Sequence, residues 1–280
     1  MSIITLTTDF GNKDHFVGAL KGKILSEDAS ATVVDISHEV DPFNISEASY
    51  IISMAYKSFP AGTVHIIGVD SEWSAKRPHL AFKWNDHYFI CADNGIPGIM
   101  TSRVMAEKVY SINLRDNLDL PTDMDVFVKV AVHLSKGGLL NVVGKEITNI
   151  YRPTELRASV SSDLKSIKGY IIYIDHLGNV VTNITRKMMQ DTAAGRQFEI
   201  VLNEKTNPGV RTKNLTTIYD RYIDAVKPGP MADGQKIAVF NEAGYLEIGL
   251  YRSNIKTTGT AQSLLGLNYL NPVSVVFTEK

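Results

Sequence analysis

Residues 63–77, Thr-Val-His-Ile-Ile-Gly-Val-Asp-Ser-Glu-Trp-Ser-Ala-Lys-Arg, open as a strand and close as a charged loop. The first half is β-branched and apolar with little alternation, the texture of a strand covered by helices on both faces. It stops at Asp70, and Arg77 follows after a short polar loop. In open parallel sheets, ligands bind beyond the carboxyl ends of the strands. A carboxylate there with a guanidinium in reach can orient a water or a polar substrate. The plainer alternative makes Asp70 a turn cap and Arg77 a surface residue.

The pattern recurs. Ile3–Thr8, 32–36 and 88–92 read as further strands, and 15–26, 45–59 and 124–135 as helices. The 45–59 helix opens at Asn44/Ser46 and stops before Pro60. Strand alternating with helix predicts a mostly parallel, Rossmann-like α/β sheet. Asp9, Asp70 and Asp93 each follow a strand, and parallel strands would turn all three carboxylates into one crevice. After Gly138 the texture changes: 150–168 is polar, and from Gly169 short apolar runs alternate with Gly, Pro, Asn and Asp. That predicts an all-β barrel or sandwich, giving an α/β domain over 1–160 and a β-barrel domain over 161–280.

The totals narrow the function. A chain of 280 residues with net charge −1 has no electrostatic footprint for nucleic acid. No apolar run approaches a membrane span, and Met1–Asp9 lacks the basic start and apolar core of a signal peptide. The lone Cys91 lies in an apolar run, which fits core packing and a reduced cytoplasmic compartment.

In the second half, Asp175, Asn179 and Asn183 surround a turn built on Gly178, offering acceptors for an amine and amides for a base edge. Alone, this is a hairpin with turn residues. Several motifs, however, come in order: Ile-Thr-Leu-Thr-Thr-Asp-Phe-Gly at 4–11, Val-Val-Asp-Ile-Ser-His-Glu-Val at 33–40 and Phe-Pro-Ala-Gly-Thr-Val-His at 59–65. Asp70 with Arg77, Asp93-Asn94-Gly95, Asp125-Val126-Phe127, the 178–184 segment and Gly244-Tyr245-Leu246-Glu247-Ile248 complete the set. Together they resemble the S-adenosyl-L-methionine hydroxide adenosyltransferase family, relatives of the fluorinating and chlorinating enzymes.

The resemblance implies an α/β domain followed by a β-barrel, in a homotrimer that binds its small-molecule substrate between subunits. It implies attack of water-derived hydroxide on ribose C5′ of S-adenosyl-methionine, giving adenosine and methionine, with no cofactor and no metal. Asp70 and Arg77 match two members of the family's water-activating triad, and the halogenating relatives do not keep that acid. Asp9 matches the residue on the ribose hydroxyls and Phe43 an aromatic beside them. Asn94 and Tyr245 fall in substrate-binding motifs, and Asp175 and Asn179 match contacts to the methionine amine and adenine. The chain departs from the pattern at three places. Thr122 stands where the triad has a histidine, leaving His79 or His133 as other imidazole sources. Ser71-Glu72-Trp73-Ser74 replaces Pro-Gly-Val-Gly, and Leu177 replaces an aromatic. Two other functions fit the residues: a binding protein for S-adenosyl-methionine or adenosine, or a Mg²⁺- or Ca²⁺-dependent phospho- or nucleoside hydrolase. Against the latter, the acids are scattered singly and no glycine loop suits a phosphate.

Overall fold

The computed structural model describes residues 2–102, 104–114, 121–154, 156–202, 215–226 and 233–278. The chain divides into two compact units, Met1–Thr154 and Glu155–Lys280. The first runs β1 (Ile3–Thr8), α1 (Phe16–Glu27), β2 (Thr32–Ser37), α2 (Ile45–Ala55), β3 (Val64–Gly68), β4 (His79–Trp84), β5 (His87–Ala92), α3 (Ile96–Met100), β6 (Lys108–Ile112), α4 (Asp123–Ser135) and β7 (Gly144–Ile147).

These strands form one sheet in the order β2-β1-β3-β5-β4-β6-β7. Four of them, β2, β1, β3 and β5, run parallel, while β4, β6 and β7 add antiparallel pairings. The sheet is therefore mixed, not mostly parallel. For β4 the cause is local: Asn85 and Asp86 take φ of +48° and +62°, a two-residue turn that folds β4 directly back onto β5. Helices cover both faces. Leu20 and Ile24 of α1 and Phe127, Val130 and Leu134 of α4 pack with Ile4, Leu6 and Ile66. On the other face Ala48 and Ile52 of α2 and Ile96 and Met100 of α3 pack with Ile67, Phe89 and Cys91. Asn44 caps α2 by accepting from Glu47 N at 3.1 Å, and Thr122 and Asp125 form a capping box at the start of α4.

Across β1, β3 and β5 runs a buried polar line. Thr5 Oγ1 lies 2.7 Å from His65 Nδ1, and His65 Nε2 lies 3.1 Å from His87 Nδ1. Burial, with the neighbouring His87 second, lowers the His65 pKa from 6.5 to about 3, and burial also lowers that of His87. Between those values the unfolded chain binds more protons than the fold, so stability is complete above about pH 6.5 and is lost on acidification. The slope for one such group approaches ~1.4 kcal/mol per pH unit. Buried Asp93, whose pKa burial raises, opposes it at the acid end. Trp73 and Trp84 both lie in this unit, so tryptophan fluorescence reports its unfolding selectively. Denaturant curves at pH 7.5 and 5.5 should show a loss of roughly 1 kcal/mol, and His65→Leu should flatten that dependence. An unchanged slope in the variant would refute the assignment.

The second unit runs β8 (Ser159–Val160), β9 (Ser166–Ile174), β10 (Val180–Thr185), α5 (Arg186–Ala193), β11 (Phe198–Leu202), α6 (Tyr222–Val226), β12 (Lys236–Phe240), β13 (Tyr245–Leu250), α7 (Ala261–Leu265) and β14 (Pro272–Phe277). Its pairings are antiparallel, in the order β11-β14-β9-β10-β13-β12, with β8 also on β9. The first half of β9 pairs with β14 and its second half with β10, so the sheet curls about this long strand. Among the described residues β11 and β12 do not pair, so the sheet is a curled half-barrel where a β-barrel or sandwich was expected. Because β8 joins β9, Ser159–Val160 belong to this unit and the division falls at 154/155, not 160/161. Helix α5 has few apolar residues to announce it; Thr185 caps it by accepting from Met188 N at 3.2 Å.

Candidate functional site

The parallel strands deliver their carboxyl ends to one edge of the first unit, and Asp9 ties that edge together. Its Oδ2 accepts from the backbone N–H of Phe43 at 3.0 Å and of Asp70 at 3.4 Å. Both partners have left-handed backbones, φ +63° at Phe43 and +44° at Asp70. Such conformations cost of order 1–3 kcal/mol each outside glycine and persist only where the surroundings enforce them. Asp9 Oδ1 has no partner among the described residues. Phe43 is 72% exposed, so it is no staple for the helix that begins at Ile45. The exposed ring of Phe43 is therefore available to a ligand at this edge.

Asp70 follows β3 directly. Arg77 Nη2 donates to its Oδ1 at 3.0 Å and to its carbonyl at 2.9 Å, so the expected pair forms. Arg77 Nε is buried with no partner among the described residues. Asn94 Nδ2 donates to the carbonyls of Val69 at 2.9 Å and Asp70 at 3.0 Å, and its Oδ1 accepts from Ile96 N. Its amide is thus committed to backbone rather than held out to a ligand. Asp93 does not join the other two acids: its Oδ1 accepts from Tyr151 N at 2.9 Å, and burial raises its pKa. It anchors the segment leaving the unit.

The imidazoles also sort by position. β4 runs antiparallel to β5 with His79 opposite Ala92, which brings a buried His79 to the functional edge. His79 Nε2 lies 2.9 Å from Ser71 O and 3.5 Å from Asp123 Oδ1. Thr122 is occupied as a helix cap, its Oγ1 donating to Asp125 Oδ2 at 2.6 Å. His133 bonds the Leu139 carbonyl at 3.1 Å in the last turn of α4. That is roughly 15 Å from the helix start at 1.5 Å per residue. His38 joins two loops, its ring 2.7 Å from Thr8 Oγ1 and its carbonyl accepting from Gly11 N.

In the second unit, Asp175 closes the turn around Gly178. Its Oδ1 accepts from Leu177 N and Asn179 N, and its Oδ2 from Asn179 Nδ2 at 2.8 Å. The β10–β13 register carries Asn179 beside Gly249, where an added Cβ would sit 2.5 Å from Asn179 Oδ1 and 2.9 Å from the Tyr222 hydroxyl. Tyr222 donates to Glu247 Oε1 at 2.6 Å, and Asn241 Nδ2 to Oε2 at 3.3 Å. Burial, with the charge of Asp175 adding to it, raises the pKa of Glu247. The sequence reading did not single out Tyr222 or Gly249 and carried Glu247 only inside the 244–248 motif, although alternation along 245–249 would have put Tyr245, Glu247 and Gly249 on one face. Tyr245 itself stands at the far end of β13, roughly 13 Å along the strand from Gly249, beside the Asn241 turn. The structure therefore brings Asp175 and Asn179 together but not Tyr245 with them. Among the described residues, no three His, Cys, Asp or Glu side chains are grouped to hold a metal ion, and no helix is long and apolar enough to cross a membrane.

Comparison with known proteins agrees with both units. Residues 4–144 match the family model described as SAM hydroxide adenosyltransferase N-terminal domain, and residues 169–274 match its C-terminal domain. A protein of Methanocaldococcus jannaschii named (R)-S-adenosyl-L-methionine hydrolase is 27% identical, covering 99% of this chain and 97% of its own. One named fluorinase, from Actinopolyspora mzabensis, is 25% identical over 72% of this chain and 78% of its own. A crystal structure of an uncharacterized conserved protein from Thermotoga maritima superposes with a TM-score of 0.81 at 25% identity, covering 98% of this chain and 99% of that one. The chain belongs to the SAM hydroxide adenosyltransferase family.

Proposed function

We propose that this protein hydrolyses S-adenosyl-L-methionine to adenosine and L-methionine, with the (R) form in its relatives' names as the preferred epimer. The observation that carries this is the Asp70–Arg77 pair, held at the carboxyl edge of the parallel strands in a chain that matches both family domains. Asp70 takes a proton from water, and the resulting hydroxide attacks ribose C5′ in line with the sulfonium. The C5′–S bond breaks with its electron pair passing to sulfur, so methionine leaves as a neutral thioether and the proton passes from Asp70 to solvent. Arg77 favours hydroxide over water by its charge. Asp9 offers Oδ1 to the ribose hydroxyls, and Phe43 packs beside them. Asp175 and Asn179 take the methionine amine and the adenine edge. Because the leaving group is already activated as a sulfonium, neither metal nor cofactor is required. The working unit is a homotrimer with its sites between subunits, in the cytoplasm.

The test is turnover with purified protein and each epimer, with EDTA present and chloride or fluoride varied, nucleosides being separated by chromatography. Adenosine at an EDTA-independent rate is the expected product. Bound ligand without adenosine would make the protein a binder, an EDTA-sensitive rate a metal hydrolase, and a 5′-halogenated nucleoside a halogenating enzyme. Mixed and reassembled Asp70→Asn and Asn179→Ala subunits should regain activity that neither has alone. Failure to complement, or a monomeric mass in solution, would exclude shared sites.

A further inference from the structure

Three consecutive carbonyls leave β3 with every one of them held by a side chain. Val69 O and Asp70 O accept from Asn94 Nδ2, Asp70 O also from Arg77 Nη2, and Ser71 O faces His79 Nε2. The three donors come from separate places in the sequence: the loop after Asp70, the first residue of β4 and the turn after β5. They converge because β4 folds back on β5, setting His79 opposite Ala92 and so close to Asn94. Two are deeply buried, Asn94 at 6% and His79 at 1% exposure, so neither reaches out toward a substrate in solvent. A carbonyl accepts, so the His79 tautomer facing Ser71 O carries its hydrogen on Nε2. Asn94 is fixed in turn, its Oδ1 accepting from Ile96 N at 3.1 Å. At the centre of this grip Asp70 has φ +44°, a left-handed conformation that costs free energy outside glycine, though less for aspartate than for most residues.

We propose that Asn94 and His79 are positioning residues for Asp70. By holding the carbonyls on either side of it and its own, they fix its left-handed backbone and so aim its carboxylate at the attacking water. The function of this grip is geometric: catalysis by a base demands placement within a fraction of an ångström, and about 1 Å of misplacement can cost 10²-fold in rate. Asn94 thus leaves the group of substrate contacts and joins the frame behind the acid. The inference rests on Asp70 being the base.

Steady-state kinetics of His79→Leu and His79→Gln, each first shown folded by its thermal transition, test it. Leucine removes the donor, and glutamine returns an N–H near the Nε2 position. The expected result for His79→Leu is a kcat lowered about 10- to 100-fold, KM for S-adenosyl-methionine within about twofold of wild type, and much of kcat restored by glutamine. A residue that only stabilised the fold would lower the transition temperature and leave the kcat of the folded protein intact. In an Asp70→Asn background, His79→Leu should have no further effect, since the two act through one group. Folded His79→Leu with wild-type kcat overturns the proposal. Should that variant not fold, Asn94→Ser is read in the same way, and wild-type kcat there overturns it equally. If Asp70→Asn itself retains full rate, it is the assignment of the base that has failed. If Asp70→Asn is inactive while the flanking variants are not, the base stands and the grip is wrong.

Discussion

Asp70→Asn should lower kcat for S-adenosyl-methionine hydrolysis by roughly 10²–10⁴-fold, the usual contribution of a positioned general base. The change is nearly isosteric. An asparagine Oδ1 can still accept from Arg77 Nη2, now 3.0 Å from the carboxylate, and Asp70 O keeps its bonds to Arg77 and Asn94. What disappears is the capacity to take a proton, so the loss should fall on kcat with KM little altered. Asparagine also tolerates φ +44° better than most residues, so the variant should fold with its loop intact. Asp70→Ala removes the Arg77 ion pair as well and should be no more active. Some rate above the uncatalysed reaction should remain in both, since the bound substrate is still aligned for displacement. An Asp70→Asn enzyme within threefold of wild type would remove this residue as the base.

How far such a site can be read from sequence depends on which side chain of a pair faces which way. Asp70 was legible because a buried apolar run announces β3 and its end, and Arg77 because it lies one short loop on. The ordered motifs did the rest. Asp93 and Asn94 show the limit. Both follow β5, yet one residue of offset sends Asp93 to Tyr151 N and Asn94 to the carbonyls beside Asp70. Nothing in composition or periodicity distinguishes them. His79 was invisible as a neighbour of Ser71 until β4 was known to return antiparallel on β5, a reversal set by Asn85 and Asp86 alone. The same turn accounts for the reversed β4 in a sheet expected to be mostly parallel, and β7 adds a second reversal by pairing antiparallel with β6. In the second unit the strands were legible from their spacing, but whether the sheet closes depends on edge pairing between distant strands. Likewise, Glu247 and Tyr222 meet only because α6 packs on β12, the strand next to β13.

Gly178→Ala should damage the second unit severely, costing about 2–5 kcal/mol. Two effects add. Gly178 has φ +74°, where a Cβ costs roughly 1–2 kcal/mol. That Cβ would also meet Thr260 at 2.4 Å, an overpacking contact worth roughly 1–3 kcal/mol. Thr260 cannot yield easily: it is 2% exposed and caps α7 by accepting from Ser263 N, while Gln262 N donates to the carbonyl of Gly178 itself. The turn and the helix start are one packed unit. Gly195→Ala is the internal control, because φ there is +77° but nothing lies within 4 Å of the added methyl. It carries the backbone strain without the clash and should cost only about 1 kcal/mol. Both tryptophans lie in the first unit, so calorimetry is the suitable probe. At roughly 4 °C per kcal/mol, the transition of the second unit should fall by about 8–20 °C in Gly178→Ala and by about 4 °C in Gly195→Ala. Equal shifts would mean that Thr260 gives way and the close approach has no energetic weight. Since Asp175 and Asn179 take their positions from this same turn, the folded fraction of Gly178→Ala should also bind S-adenosyl-methionine at least tenfold more weakly, while Gly195→Ala binds as wild type. Unaltered affinity in Gly178→Ala would separate the turn from the substrate and leave its role purely structural.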